Sequence, residues 1–297
     1  MIKLDRQHKS VLLAESVAAL QIQPDHWYVD ATFGRGGHTQ AILKAGGRVL
    51  AFDWDAEAIA YGQTMFIREL EEQRLLLIHS NFEYLASELK KLAPEQKRPS
   101  GFLFDFGTST EQLTSSERGF SVHDDGPLDM RMDTRLGVQA KDLLAAVPEV
   151  QLADLFFKFG GEEESRGVAK AIKRHKEPIT TTKQLTEIIS RAKKRHGGHL
   201  HPATKVFQAL RIAVNSELTA IEQALPDALT AVIPEGRIVT IAFHDGEDRL
   251  VKFAFRDWEA KNMGTSITSK PITASADELN HNPRARSAKL RIFEKSK

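Results

Sequence analysis

Apolar positions in the first part of the chain fall into short runs, at 28–31, 49–53, 75–79 and 102–106, each followed by a stretch with helical spacing. That βαβ rhythm predicts a parallel sheet. After Gly107 the rhythm stops: 108–133 is polar and glycine-containing, and helical patterns then run to about residue 195 with no convincing strand. Strand signal returns at 236–243, G-R-I-V-T-I-A-F, and again at 287–293. The pattern predicts an α/β domain interrupted by an inserted helical domain, with 1–107 and 203–297 as its two parts and 108–202 as the insert. Over 203–225, Val206, Leu210, Val214, Leu218 and Ile221 recur at spacings of four, four, four and three. This predicts one helix whose apolar stripe packs on the sheet.

The first strand runs into a glycine cluster, Y-V-D-A-T-F-G-R-G-G-H at 28–38. Gly34, Gly36 and Gly37 lack the side chains that would keep a ligand from the backbone amides, and a helix is expected to begin near His38. Asp53 closes the next strand, where a carboxylate can accept from both hydroxyls of a ribose. The spacing is not G-x-G-x-x-G, and no G-x-x-x-x-G-K-[ST] occurs. An adenosine cofactor without a pyrophosphate, S-adenosylmethionine rather than NAD, suits the loop. A plain strand-to-helix turn would also use such glycines, and on the loop alone both readings stand.

Hydrophobic residues make up 41% of the 297, enough for a sizeable core. The formal net charge of +1 announces no global basic field, so any nucleic-acid partner must be held by local patches. One candidate is Lys193, Lys194, Arg195, His196, His199 and His201, readable as a phosphate-binding patch or as a solvated segment. These histidines lie beside glycines and no carboxylate, and no metal site is expected. Zero cysteines exclude disulfides and thiolate metal centres. No apolar run approaches the length of about 18 residues that spans a bilayer. A soluble, cytoplasmic protein without a membrane partner is expected.

Six segments carry a resemblance: H-K-S-V-L-L-A-E at 8–15, D-A-T-F-G-R-G-G-H at 30–38, E-R-G-F-S-V at 117–122, D-G-P-L-D-M-R-M-D at 125–133, H-P-A-T-K-V-F-Q-A-L-R-I-A-V-N-S-E-L at 201–218 and N-P-R-A-R-S-A-K-L-R at 282–291. With them the chain resembles the bacterial small-subunit rRNA cytidine N4-methyltransferases, the RsmH or MraW family. The resemblance implies a class I, Rossmann-like methyltransferase sheet with a helical insert that helps to hold RNA. It implies S-adenosyl-L-methionine as cofactor, the N4 amine of a decoding-centre cytidine in 16S rRNA as acceptor, and the small ribosomal subunit as partner. A homodimer is left open. The cofactor contacts it implies are Gly36, Gly37, His38, Asp53, Phe82, Asp105 and Gln112.

Cytosine's exocyclic amine is a poor nucleophile, so near-attack positioning and an acceptor for its hydrogens are needed. The motif [DNS]-P-P-[YFW] is absent. The candidates are Asp105, Asp129 and His244, each with a structural alternative: a cofactor contact, an ion pair with Arg131 or Arg135, and a strand-end hydrogen bond. For RNA they are Arg118, Arg131 and Arg135 in the insert's first loop and Arg284, Arg286, Lys289 and Arg291 around the last strand. Phe120 or Phe106 could stack on a flipped base. The chain departs from the family pattern at D-F-G-T-S-T (105–110), F-G-G-E (159–162) and F-H-D-G-E-D-R (243–249), and 252–282 is short. The departures at 108–110 and 245–246 keep a second function open, a noncatalytic ribosome-assembly or RNA-binding protein retaining the cofactor fold. A small-molecule methyltransferase is disfavoured by the arginine-rich ends and the insert.

Overall fold

The computed structural model describes residues 9–92, 98–107, 116–193 and 201–297. Gln112, Thr108–Thr110 and most of the basic run, Lys194 to His199, lie outside the described residues. The chain divides into two compact units, 1–107 with 218–297, and 108–217. The return therefore comes at Leu218 and not at 203.

In the first unit the strands are β1 (Trp27–Asp30), β2 (Arg48–Asp53), β3 (Leu75–His79), β4 (Gly101–Asp105), β5 (Arg237–Ala242), β6 (Gly264–Ser266) and β7 (Lys289–Lys295). They form one sheet in the order β3-β2-β1-β4-β5-β7-β6. The first five are parallel, and β7 pairs antiparallel with both β5 and β6. β4 shows why both faces need cover: Phe102 and Phe104 point into one apolar cluster and Leu103 into the other. Helices Leu85–Lys91, Glu217–Ala231 and Asp245–Ala260 cover the first face, through residues such as Leu85, Ile221, Leu225 and Phe255. Helices Leu13–Leu20 and Gly37–Lys44 cover the second through Leu20, Ile42 and Leu43.

The second unit is helical, with Ala140–Ala146, Glu149–Gly160, Ser165–Arg174, Thr182–Ala192 and Thr204–Val214. The helix expected over 203–225 is broken here. Asn215 ends the Thr204–Val214 helix, Ser216 takes a left-handed φ of 50°, and a new helix starts at Glu217. Val206 and Leu210 are thus buried with the insert, while Ile221 packs on the sheet as expected.

Candidate active site

Sheet order reverses between β1 and β4, so their carboxyl ends diverge into the crevice where α/β folds bind ligands. Carboxyl groups crowd that edge. Asp30 closes β1, Asp53 closes β2, Asp105 closes β4, and Glu247 lies buried in the first turn after β5. Asp30 accepts from Thr39 Oγ1 at 2.7 Å and from the Thr32 amide at 3.2 Å, yet burial pushes its carboxyl up to about 6. Asp53 accepts the Gly34 amide at 2.7 Å on Oδ2 and the Asp55 amide at 2.8 Å on Oδ1. Burial outweighs both bonds and, helped by the charges of Asp55 and Asp30, pushes Asp53 up to about 7.

Asp105 goes furthest. Burial first, then the charges of Asp30 and Glu247, hold it well above the ordinary carboxylate range. Among the described residues its Oδ1 is buried without a hydrogen-bond partner, and Oδ2 lies 3.7 Å from His38 Nδ1. His38 is itself buried, with Nε2 3.2 Å from the Val11 carbonyl. A carbonyl only accepts, so Nε2 carries a hydrogen, and Nδ1 is the ring nitrogen nearest Asp105. Among the described residues, Asp30, Asp53 and Asp105 have no ion pair with lysine or arginine. Such a crevice favours a cationic ligand.

The glycines divide their roles in a way the loop sequence does not reveal. A Cβ on Gly36 would lie 2.7 Å from the Phe33 and Phe66 rings, and one on Gly37 would collide with Ser10 Oγ. Both are required by the protein's own packing. Gly34, with φ +53°, would direct a Cβ into open space, so the loop's open side is there. Phe82 is a core residue more than a surface cover: it is 8% exposed, with its ring 5.9 Å from Phe104 and 6.0 Å from Phe106. Trp54, 6.1 Å from Phe82 and less buried, is the aromatic side chain overlooked in the sequence. Its signal was its place directly after Asp53.

His244 serves the fold through one of its two ring nitrogens. Nδ1 accepts the Gly246 and Glu247 amides at 3.1 and 3.4 Å as the cap of the Asp245–Ala260 helix, and Nε2 lies 3.2 Å from Glu247 Oε1. Nδ1 is thus taken by the cap, while Nε2 is buried with no hydrogen-bond partner among the described residues. The altered 245–246 segment belongs to the same cap, and Asp245 pairs with Lys289 at 2.8 Å.

Within the insert, Asp129 receives Arg131 through both Nε (2.7 Å) and an NH2 (2.8 Å), and also Gln139 at 2.9 Å. Burial acts to raise its carboxyl, but the Arg131 bonds prevail and hold it below its ordinary value. The ion-pair alternative is the one the geometry favours. Arg131 further donates to the Thr134 and Leu136 carbonyls, and Arg118 donates to the carbonyls of Arg131 and Met132. Phe120 is 6% exposed. The two arginines thus brace their own loop, and Phe120 is buried, not displayed. Asn215 closes the loop, accepting the Met132 amide at 2.7 Å and donating to the Met130 carbonyl at 2.8 Å. Glu162 of F-G-G-E is likewise structural, paired with Lys193 at 2.8 Å. In the sheet unit, Arg284 and Arg286 lie exposed in the Pro283–Ser287 turn, whereas Arg291 is held by Asp248 at 2.7 Å.

The strand order, the antiparallel β7 and the crevice over β1 and β4 define a Rossmann-like, class I methyltransferase fold. The family model described as "MraW methylase family" matches residues 5–296, and the chain belongs to that family. It is 42% identical to Ribosomal RNA small subunit methyltransferase H of Shewanella halifaxensis, with 97% of each chain covered. It is 41% identical to the protein of the same name from Shewanella loihica, again with 97% of each covered. The crystal structure of an rRNA methylase from Streptococcus thermophilus aligns over 97% of this chain and 98% of that one, at 11% identity and a TM-score of 0.47. The protein is a methyltransferase.

Proposed function

We propose that this chain methylates the N4 amine of a cytidine in the decoding centre of 16S rRNA. The whole-length relatives named for small-subunit rRNA methylation support the substrate class. The observation that carries the chemistry is the buried Asp105 Oδ1 at the end of β4, unpartnered among the described residues. The buried Asp30 and Asp53 and the part-exposed Asp105, with no lysine or arginine ion pair among the described residues, fit a cationic cofactor. When bound, S-adenosyl-L-methionine supplies an electrophilic methyl group on a positively charged sulfur.

The residues then take distinct tasks. The backbone of Gly34, Gly36 and Gly37 beside His38 would hold the methionine portion, Asp53 the ribose hydroxyls, and Phe82 with Trp54 the adenine, while Gln112 joins from outside the described residues. Asp105 accepts a hydrogen bond from the cytosine amine and takes its proton after transfer. It does so ionised, a form that a cation in the crevice stabilises. Arg286 and Arg284 meet phosphates, and Arg118, Arg131 and Phe120 act indirectly by keeping the insert's loop in shape. A ribosomal substrate places this activity in the cytoplasm. The 245–246 departure is absorbed by a helix cap and gives no support to a noncatalytic role.

The test is to incubate the protein with labelled S-adenosyl-L-methionine and small subunits from a strain lacking it, then map the label by mass spectrometry. Label on one cytidine amine is expected. Label on another base, or binding without label, would reject the assignment.

A further inference from the structure

The outer face of the Asp245–Ala260 helix is left unused by the methyl-transfer reading. Its inner face, Val251, Phe255 and Trp258, is buried in the sheet's core. The outer face presents Arg249, Phe253 and Arg256, spaced i, i+4 and i+7 and therefore in one row, with the half-buried Lys252 three residues after Arg249 and four before Arg256. Phe253 is 57% exposed. The helix's own acids are engaged elsewhere: Asp245 with Lys289, Asp248 with Arg291, Asp257 with Lys261 at 2.6 Å, and Glu259 with the Ser266 amide at 2.6 Å. Among the described residues, Arg249, Lys252 and Arg256 have no carboxylate within ion-pair distance.

An exposed ring between two guanidinium groups, about 10 Å apart along the helix axis, is suited to a base that stacks and phosphates that pair on either side. A protein partner would be met by apolar neighbours of Phe253; here the neighbours in the row are cations. The row starts in the second turn of a helix that begins where β5 ends, on the crevice side of the sheet. We propose that Arg249, Lys252, Phe253 and Arg256 form a platform for a single-stranded RNA segment flanking the methylated nucleotide. This rests on the reading that RNA is the substrate.

Binding of a fluorescein-labelled single-stranded 16S rRNA fragment, followed by anisotropy across a salt series, tests it. Phe253→Ala is expected to weaken binding about tenfold with little change in salt slope, and Phe253→Trp to restore it. Arg249→Gln with Arg256→Gln is expected to lower the slope by about 1.4, two phosphates at about 0.7 each. Cofactor affinity and thermal midpoint should stay at parental values in all variants, which separates a lost contact from a lost fold. Parental RNA affinity and methylation in these variants would overturn the platform while leaving the substrate assignment intact. A parent that neither binds nor methylates rRNA would overturn both. Unchanged affinity for the fragment with reduced methylation of assembled subunits would assign the face to a ribosomal protein and also overturn it.

Discussion

Burying Asp53 against the Gly34 amide makes protonation part of ligand binding. The folded carboxyls of Asp53 and Asp30 sit near 7 and 6, above their ordinary 3.8, so the folded protein holds protons that the unfolded chain releases. Their contribution to stability is therefore full below about pH 4 and lost as pH rises through these values. Thermal midpoints measured across that range should decline for the free protein, and Asp53→Asn should flatten the decline. A ligand donating hydroxyls to Asp53 favours the ionised form. Cofactor affinity should rise by up to about tenfold per pH unit toward neutrality, with protons released. Calorimetry in two buffers of different ionisation enthalpy reads this directly, and proton uptake would contradict it. Asp105→Asn should lower kcat by about 10²–10⁴ with donor KM changed only a few-fold, because the missing group acts on the acceptor. A loss confined to KM would make it a cofactor contact alone. Asp53 and Asp105 were legible as carboxylates at strand ends. The ion pair of Asp129 with Arg131 was legible as an alternative, whereas the bonds of Arg131 and Arg118 to loop carbonyls were not.

Among the elements, strands with β-branched or aromatic alternation were readable, and β6 was not. It is three residues of Gly-Thr-Ser at a sheet edge, with no apolar period to detect. The break at Asn215–Ser216 escaped because the apolar spacing continues across it while the backbone does not. Two helices in two units happen to share a phase. Asn215 explains why the break is kept: its side chain serves the Met130 carbonyl and the Met132 amide, both inside D-G-P-L-D-M-R-M-D. That couples two of the most distinctive motifs through one buried amide. Asn215→Ala should cost about 1–3 kcal/mol, since buried backbone groups lose their partner. Urea unfolding should register the cost, and hydrogen exchange should rise first around residues 130–132.

For the molecule as a whole, the alternation of strands and helices announced the sheet, and the silence after Gly107 announced the insert. A near-neutral net charge hid a basic row on one helix, because its neighbouring acids are neutralised by cations from β7 and the helix end. All the cofactor candidates except Gln112 belong to 1–107 and 218–297. Joining Gly107 to Leu218 through a flexible linker of about ten residues should leave a folded sheet unit that binds the cofactor, weakened by the missing Gln112, and does not methylate rRNA. Circular dichroism and calorimetry would check this, and an unfolded product would show that the insert is needed for the fold. The insert also affects how the chain is made. β5 covers the side of β4 that faces away from β1. During synthesis, β4 with its Phe102 and Phe104 leaves the ribosome long before residue 237 follows. Until then it is a bare, aromatic strand edge open to pairing with other chains. A fast-folding helical insert, built from local contacts, shortens only part of that delay. The newborn protein is therefore most prone to aggregation, and most in need of a chaperone, while its insert is being translated.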